Sequence, residues 1–312
     1  MSGASILFDA PGPRARRRHA ILAALGLVVA VGIVVLVVLK MKDADQLQGQ
    51  MWKPFVTDRA VWRDYLLPGL IGTFKAAAIS IVFAAVFGLL FGVGRLSSIT
   101  PVRWVCGVVV EFFRAVPVLL MMIFAYFGIY ARSDIFSAET APLAAVVTGL
   151  TLYNGSVIAE LVRSGVFSLP KGQSEAGLSV GLTESQVMRA IQLPQALTAM
   201  LPALIGQFVV VLKDSALGYQ VTYLELLNWS KTLGSAFANT IPAYLVAGVL
   251  FILVNYLLTV IASRVQQRLS RRGRAVMAAA GPVTGAVPEA STMGGKGVVN
   301  TDATNAGGGT GH

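Results

Sequence analysis

Cysteine and histidine are scarce in this sequence, and their scarcity excludes several kinds of site. The chain of 312 residues has one cysteine, Cys106, and two histidines, His19 and His312. A single cysteine excludes an intrachain disulfide. Two histidines in the terminal segments argue against a His/Cys metal site and against a Ser-His-Asp triad. We therefore predict no catalytic residue and no metal ligand in this chain.

Charge is also scarce. Charged residues make up 13% of the chain and apolar residues 55%, whereas a soluble domain has about 25% charged residues. This composition predicts an integral membrane protein. The net charge of +10 would also suit a nucleic-acid-binding protein. The basic residues instead cluster at the ends of apolar runs, as the positive-inside rule describes, so we expect no nucleic-acid partner.

Six segments have the length and apolarity of a membrane span, which takes about 20 residues. They run over 21–39, 76–94 with a start near Leu66, 104–130, 141–159, 190–212 and 241–262. The first could be a signal peptide, because four arginines precede it. However, its 19 uncharged residues exceed the roughly 7–15 of a signal-peptide core, and no A-x-A cleavage site follows. We predict an all-α, multi-pass membrane protein with about six transmembrane helices.

Basic residues predict the orientation of these spans. With the N-terminus inside, the inner segments contain 15 Lys and Arg residues and the outer loops seven. The chain is therefore predicted to be N-in and C-in. The expected organisation is a basic cytoplasmic arm over 1–20, a first span with an outer segment over 21–65, a transmembrane bundle over 66–265 and a disordered cytoplasmic tail over 275–312.

A polar loop of 30 residues, from 163 to 192, lies between the fourth and fifth spans on the predicted inner side. Its residues predict two short helices. Ser174 is a favourable N-cap and Glu175 follows in the first turn, while Gly181 is placed to end that helix. Thr183, followed by Glu184, is placed to cap the second helix.

The loop has two interpretations on local physics alone. The small residues Ala176 and Gly177 would let the surface of a partner approach the backbone closely, which favours a docking site. The alternative is a capped hairpin that packs only on its own bundle.

Polar groups inside predicted spans are candidates for function. Glu111 and Arg114 are three residues apart and share a helix face, so they are expected to pair. In a straight span Arg114 lies near mid-membrane, where it either belongs to a structural clasp or faces the pathway and meets a substrate carboxylate. Glu160 and Arg163 are expected to form a second structural pair at the inner end of the fourth span.

Five further positions are candidates for a substrate path or gate. Asn154 and Gln207 lie inside the fourth and fifth spans, where a hydrogen bond between helices is the simplest interpretation. Lys213, Asp214 and Ser215 end the fifth span near its outer side. They are either a gate or a polar helix end.

The loop also resembles a known signature. Glu175-Ala176-Gly177, then Gly181, then Ile191-Gln192-Leu193-Pro194 are similar to the EAA–G–I-x-LP pattern of type I ABC-importer permeases. Gly177 stands where the usual second alanine would be. Within that family the chain most resembles permeases of glutamate uptake in the polar amino-acid branch, over about 66–265. The resembling pieces are Gly72–Lys75, Glu111–Pro117, Ala159–Gly165, Leu169–Gln173, Leu193–Ala196 and Lys213–Leu217.

The resemblance implies a type I ABC-importer permease fold with a cytoplasmic coupling helix in loop 163–195, in the plasma membrane of a prokaryote. It implies docking to a cytoplasmic ATPase dimer through Ser174, Glu175, Ala176, Gly177, Gly181, Thr183 and Glu184. A second similar permease and an extracytoplasmic amino-acid-binding protein are the other implied partners, with lipid around the spans. ATP and Mg²⁺ would be used by the ATPase, because this chain lacks G-x-x-x-x-G-K-[ST] and is expected to need no cofactor of its own.

Other functions compete with this one. An intramembrane enzyme would need catalytic groups, but the chain has no H-E-x-x-H and no histidine inside a span. A secondary amino-acid carrier or a membrane scaffold would need no ATPase, but either would leave the polar loop without a role.

Overall fold

The computed structural model describes residues 12–279, with side chains up to residue 265, and every regular element in that range is helical. The described residues divide into two units, one that ends at Gln267 and one that begins at Arg268. The α-helices, numbered α1 to α11, span Pro13–Asp43, Gly49–Thr57, Leu67–Gly94, Thr100–Ala115, Val118–Ile123, Ala141–Phe167, Gly172–Ser179, Glu184–Val187, Leu193–Asp214, Leu226–Ala236 and Thr240–Ala279.

Five helical segments are long and apolar enough to cross a bilayer. They are α1, the segment Val61–Gly94 that contains α3 and the π-helical turn before it, α6, the segment Glu184–Val221 that contains α9, and α11 up to Val265. Helix α4 and the segment Val118–Arg132, which are separated by a bend of 98°, make a sixth if the two together cross as one broken span. The predicted all-α membrane protein with about six spans is confirmed, whereas the N-in, C-in orientation stays a prediction.

The predicted third span over 104–130 is wrong as a continuous helix. Helix α4 ends at Ala115, and Val116 has an extended backbone with φ −85° and ψ 127°. Pro117 explains the break, because proline lacks an N–H and disfavours the helical conformation in the residue before it. The chain therefore turns sharply before α5 begins.

Helices α3, α6 and α9 form the centre of the bundle, and glycines allow a close approach between α3 and α6. A Cβ atom on Gly92 would lie 2.8 Å from the Cβ of Val162, and one on Gly155 would lie 2.7 Å from Cδ1 of Phe87. Small residues at such positions let two helix backbones pack tightly. A buried apolar cluster that includes Ala84 and Met200 extends this contact to α9.

Helix α10 packs across the start of α3, at the other end of the bundle from the polar loop. The Tyr223 hydroxyl donates to the Gly72 carbonyl at 2.8 Å. The Leu226 N–H donates to Oγ1 of Thr73 at 3.2 Å. These bonds fix the segment between α9 and α10 against α3.

The ends of the chain differ in part from the expected organisation. Helix α1 begins at Pro13, so the arginines of the predicted arm over 1–20 already lie in its first turns, and none of its residues is buried. Residues 275–279 continue α11 instead of starting a tail. The rest of the predicted tail, 280–312, and residues 1–11 of the arm lie outside the described residues.

Candidate functional site

The polar loop forms a helical hairpin, made of α7, α8 and the π-helical turn Met188–Gln192. The predicted N-cap at Ser174 is wrong, because α7 already begins at Gly172 and contains Ser174. The chain turns earlier than expected: the N–H groups of Gln173 and Ser174 donate to the carbonyls of Pro170 and Lys171, at 3.1 and 3.0 Å. Glu175 does lie in the first turn of the helix.

The predicted end of the first hairpin helix, at Gly181, is confirmed. Gly181 has a φ of +87°, and its N–H donates to the Leu178 carbonyl at 3.0 Å. The Leu182 N–H donates to the Gly177 carbonyl at 3.2 Å. These two bonds form a Schellman motif, which requires the left-handed conformation that glycine adopts without strain.

The predicted start of the second helix, at Thr183, is also confirmed. The Gln186 N–H donates to the Thr183 hydroxyl at 3.4 Å, and the Thr183 N–H donates to Oε1 of Gln186 at 2.8 Å. This reciprocal pair is a capping box. Both ends of the link between α7 and α8 are thus fixed by hydrogen bonds.

Gly177 has a different role from the one its small size suggested. It is buried, and a Cβ atom there would lie 2.8 Å from Cγ2 of Val187 and 2.9 Å from Cδ1 of Ile191. It therefore allows the two halves of the hairpin to pack together and does not face a partner. Glu175 and Ala176 are exposed on the other faces of α7.

Residues 177–181 also have the spacing Gly-x-Ser-x-Gly found at hydrolase nucleophiles. Among the described residues, the one side-chain hydrogen bond found for that serine is local to its helix. Ser179 ends a helix and donates its hydroxyl to the Glu175 carbonyl at 2.8 Å. Of the two histidines, His19 belongs to α1 and His312 lies outside the described residues.

Five charged side chains from three helices form an ion-pair cluster near the hairpin. Glu160 accepts from Arg95 at 2.7 Å and from Arg163 at 2.8 Å. Glu111 pairs with Arg95 at 3.0 Å and with Arg114 at 3.3 Å. Arg114 also lies 3.5 Å from Glu160. The two pairs expected from the sequence are thus present, joined into one cluster through Arg95.

The position of this cluster changes the interpretation of Arg114. Arg95 caps the C-terminal end of α3, and Arg163 lies in the last turns of α6, directly before the hairpin. Arg114 contacts the same carboxylates, so it lies at this end of the bundle and not halfway along a straight span. Sequence reasoning used Arg95 only as a topology signal and did not detect its place in the cluster.

Asn154 and Gln207 meet between α6 and α9, in the middle of the bundle. The Gln207 side-chain amide donates to Oδ1 of Asn154 at 2.6 Å. Asn154 is fully buried and donates in turn to the Leu150 carbonyl at 3.0 Å. The pair links the two helices, and its role in a substrate path stays a prediction.

The candidate gate residues lie where α9 changes into a 3₁₀ helix. Ser215 is buried and donates to the Leu212 carbonyl at 2.7 Å. Lys213 is exposed and Asp214 is partly buried. Among the described side chains these two charges form no ion pair.

Glu225, a fully buried acid that sequence reasoning missed, caps α10 at this same end of the bundle. Its carboxylate accepts from the N–H groups of Leu227 and Asn228 at 2.7 and 2.8 Å. Burial raises the pKa of Glu225 to about 7, although these hydrogen bonds act in the opposite direction. The signal available in the sequence was an acid directly before a short amphipathic helix.

Comparisons with known proteins are consistent with this geometry. Residues 84–271 match the family described as "Binding-protein-dependent transport system inner membrane component". The glutamate transport system permease protein GluD of Corynebacterium glutamicum is 48% identical over 230 residues, which are 74% of this chain and 83% of that protein. The probable glutamine ABC transporter permease protein GlnP of Bacillus subtilis is 32% identical over 65% of this chain and 93% of its own.

Solved structures show the same similarity. An amino acid ABC transporter solved with histidines aligns with a TM-score of 0.60 and 26% identity, over 66% of this chain and 95% of that chain. The MetNI methionine ABC transporter in inward-facing conformations has the same fold, with a TM-score of 0.57 and 21% identity, over 69% of this chain and 99% of its own.

Proposed function

The chain belongs to the family of binding-protein-dependent transport system inner membrane components, as a multi-pass amino-acid ABC permease of a prokaryotic plasma membrane, and we propose that it imports glutamate. We propose further that a separate ATPase drives this import through the α7–α8 hairpin. Glutamate is supported by the relative that is 48% identical and named for glutamate transport. A second relative, at 28% identity, is the glutamate/aspartate import permease protein GltK of Escherichia coli.

The hairpin carries the proposal for ATPase coupling. Its Schellman motif and capping box give it a defined shape, and Glu175 and Ala176 are exposed on α7. A docking site needs such a rigid, exposed element, since ordering a flexible loop on binding costs free energy. The excess of basic residues on this side of the spans supports a cytoplasmic position, where an ATPase dimer is available.

Motion of the hairpin would reach the bundle through the ion-pair cluster. Helix α6 leads into α7, and Glu160 of α6 is paired with Arg95 of α3 and lies near Arg114 of α4. Helix α4 ends at the bend before α5. A partner that moves the hairpin would thereby bias the bend, which is how an ATPase at one end can shift a bundle between two states.

The remaining parts of the importer follow from this assignment. A second similar permease would complete the pathway, and an external binding protein would deliver the amino acid. ATP and Mg²⁺ would be used in the ATPase. The Asn154–Gln207 pair and the segment Lys213–Ser215 are the proposed path and gate positions, while Arg114 is assigned to the clasp because it already faces two carboxylates.

Glu175→Lys tests the coupling proposal. We expect this variant to insert normally but to lose co-purification with the ATPase subunit, because the exposed acid lies on the proposed docking face. Glu139→Lys, which reverses an exposed acid in the segment before α6, is the matched control and should retain the ATPase. Normal co-purification of the Glu175→Lys variant would show that the hairpin is not the docking site.

A further inference from the structure

A cleft with a volume of about 610 Å³ lies between the hairpin and the end of α3. Its walls are the last turns of α3, the loop between α3 and α4, the first turn of α4, and the inner face of the hairpin. Its polar lining includes four serines and two arginines: Ser97, Ser98, Ser174, Ser185, Arg103 and Arg189.

The two arginines of this cleft are available to a ligand. Neither forms an ion pair among the described side chains. The Arg103 guanidinium donates to the Ser97 carbonyl at 3.1 Å and to the Thr100 hydroxyl at 3.2 Å, which orients it in the cleft and leaves further N–H groups free. Glu184 is the one acid of the lining, so the cleft has a net charge of +1. An anion with several acceptor oxygens would complement this set.

The other half of the lining is apolar. Leu90 and Val93 of α3, Val102 of α4 and Leu178 of α7 line the cleft beside the polar groups. Leu90 is 65% exposed on a helix that is long and apolar enough to span a membrane, so we expect this side of the cleft to face lipid acyl chains. A small soluble anion would leave the apolar half of the lining uncovered. An amphiphile would contact both halves, with its polar group at the arginines and its apolar chain along the apolar residues.

Most of the proposed ATPase contact lies outside the cleft, because only Ser174 and Glu184 of its seven residues line the cleft. Ser174 and Leu178, one helical turn apart, face the cleft. Glu175 and Ala176 are exposed and do not line it. A ligand in the cleft would therefore lie against the inner face of the hairpin and leave Glu175 and Ala176 exposed.

We propose that this cleft binds the headgroup of an acidic phospholipid, with the phosphate between Arg103 and Arg189 and an acyl chain along Leu90 and Val93. Basic pockets at the inner end of transmembrane helices are known to recognise acidic headgroups. The bound lipid contacts the face of α7 that lines the cleft, so it stabilises the orientation of the hairpin. The assignment to the inner leaflet rests on the proposed function, but the binding site itself does not.

Native mass spectrometry of the full chain in detergent, titrated with phosphatidylglycerol or phosphatidylcholine, tests the proposal. We expect phosphatidylglycerol to be retained in preference to phosphatidylcholine. Arg103→Gln and Arg189→Gln should each weaken phosphatidylglycerol binding about fivefold, since one basic residue near an acidic headgroup contributes roughly 1 kcal/mol. Arg132→Gln, in the segment after α5 and outside the cleft, is the matched control and should change nothing.

Competition separates the lipid from soluble anions with related chemistry. If inorganic phosphate or L-glutamate at millimolar concentration displaces phosphatidylglycerol completely, the cleft is a site for a soluble anion and the proposal is overturned. Equal binding by the arginine variants and the unmodified chain also overturns it. Arg189→Gln removes no hydrogen bond or ion pair found among the described residues, so we expect this variant to fold. Its phosphatidylglycerol binding therefore tests the proposal even if Arg103→Gln misfolds. Because the isolated permease is used, the result is independent of whether the ATPase docks at Glu175.

Discussion

Gly177 sets the distance between the two halves of the hairpin. Its position leaves no room for a side chain, because Val187 and Ile191 already lie against the backbone. We expect Gly177→Leu to force the halves apart at a cost of about 2 kcal/mol, which is typical of overpacking a buried site. Local opening of the hairpin should then increase about thirtyfold. Limited proteolysis of the purified permease within residues 168–192 measures this opening.

Ala176→Leu is the control for this substitution. Ala176 is the preceding residue and is exposed, so a leucine side chain there would not clash with the other half of the hairpin. Its proteolysis rate should match that of the unmodified chain. Equal cleavage of the Gly177→Leu and Ala176→Leu variants would show that the packing at Gly177 does not hold the hairpin together.

Glu225 makes the stability of the protein depend on pH in a defined direction. The pKa of this buried acid is about 7 in the folded protein, against an ordinary value of 4.5. The folded state therefore holds the proton more tightly than the unfolded chain. The contribution of this group to stability is complete below about pH 4.5 and is lost as the pH rises through 7, at a cost on the order of 3 kcal/mol.

Glu225→Gln removes this titration while keeping a carbonyl oxygen for the helix cap. We expect the variant to melt at a higher temperature than the unmodified protein at pH 8, and at nearly the same temperature at pH 5. Thermal unfolding in detergent at the two pH values measures this difference. Glu139→Gln, which changes an exposed acid, should melt at the same temperature as the unmodified protein at both pH values. A pH-independent difference for Glu225→Gln would contradict the assigned pKa.

Among the elements, the ion-pair cluster joins α3, α4 and α6 through one central carboxylate. Glu160 faces three arginines, with exposed side-chain fractions of 23% for Glu160 and 12% for its nearest partner, Arg95. Removing its charge leaves Arg95, Arg114 and Arg163 opposite Glu111 alone. We expect Glu160→Gln to lower the free energy of unfolding by about 2 kcal/mol, since it leaves half-buried charges without a partner.

Glu111→Gln is the matched comparison, because Glu111 belongs to the same cluster but has a 59% exposed side chain. Solvent screens its ion pairs, so this change should cost less than about 1 kcal/mol. Chemical or thermal unfolding of both variants in detergent gives the comparison. If both variants lose the same free energy of unfolding, Glu160 is not the central residue of the cluster.

The elements also show which structural features are encoded locally. The left-handed turn at Gly181 and the cap at Thr183 were predictable, because each depends on residues within one helical turn. The start of α7 was not, since the turn at Pro170 competes with the favourable cap at Ser174. The break at Pro117 had a local signal, but the apolar run around it favoured one continuous span.

At the scale of the whole molecule, hydropathy predicts the spans because a bilayer demands long apolar helices. It does not predict which polar groups meet. Arg95 and Glu160 are 65 residues apart in sequence, and their contact depends on how α3 packs against α6 through Gly92 and Gly155. The burial of Glu225, unlike its local hydrogen bonds to the start of α10, likewise depends on the docking of α10 onto α3. Such long-range contacts exist only once the bundle is assembled, so the local sequence carries no sign of them.

Uptake of labelled glutamate into membrane vesicles measures directly whether this permease imports glutamate with a separate ATPase. The vesicles contain this permease with its partner permease and ATPase, and the binding protein is added on the outside. We expect uptake that requires ATP, that stops when the ATPase is omitted, and that is lost in the Glu175→Lys variant but not in the Glu139→Lys variant. Glutamate uptake that persists without the ATPase would contradict this expectation.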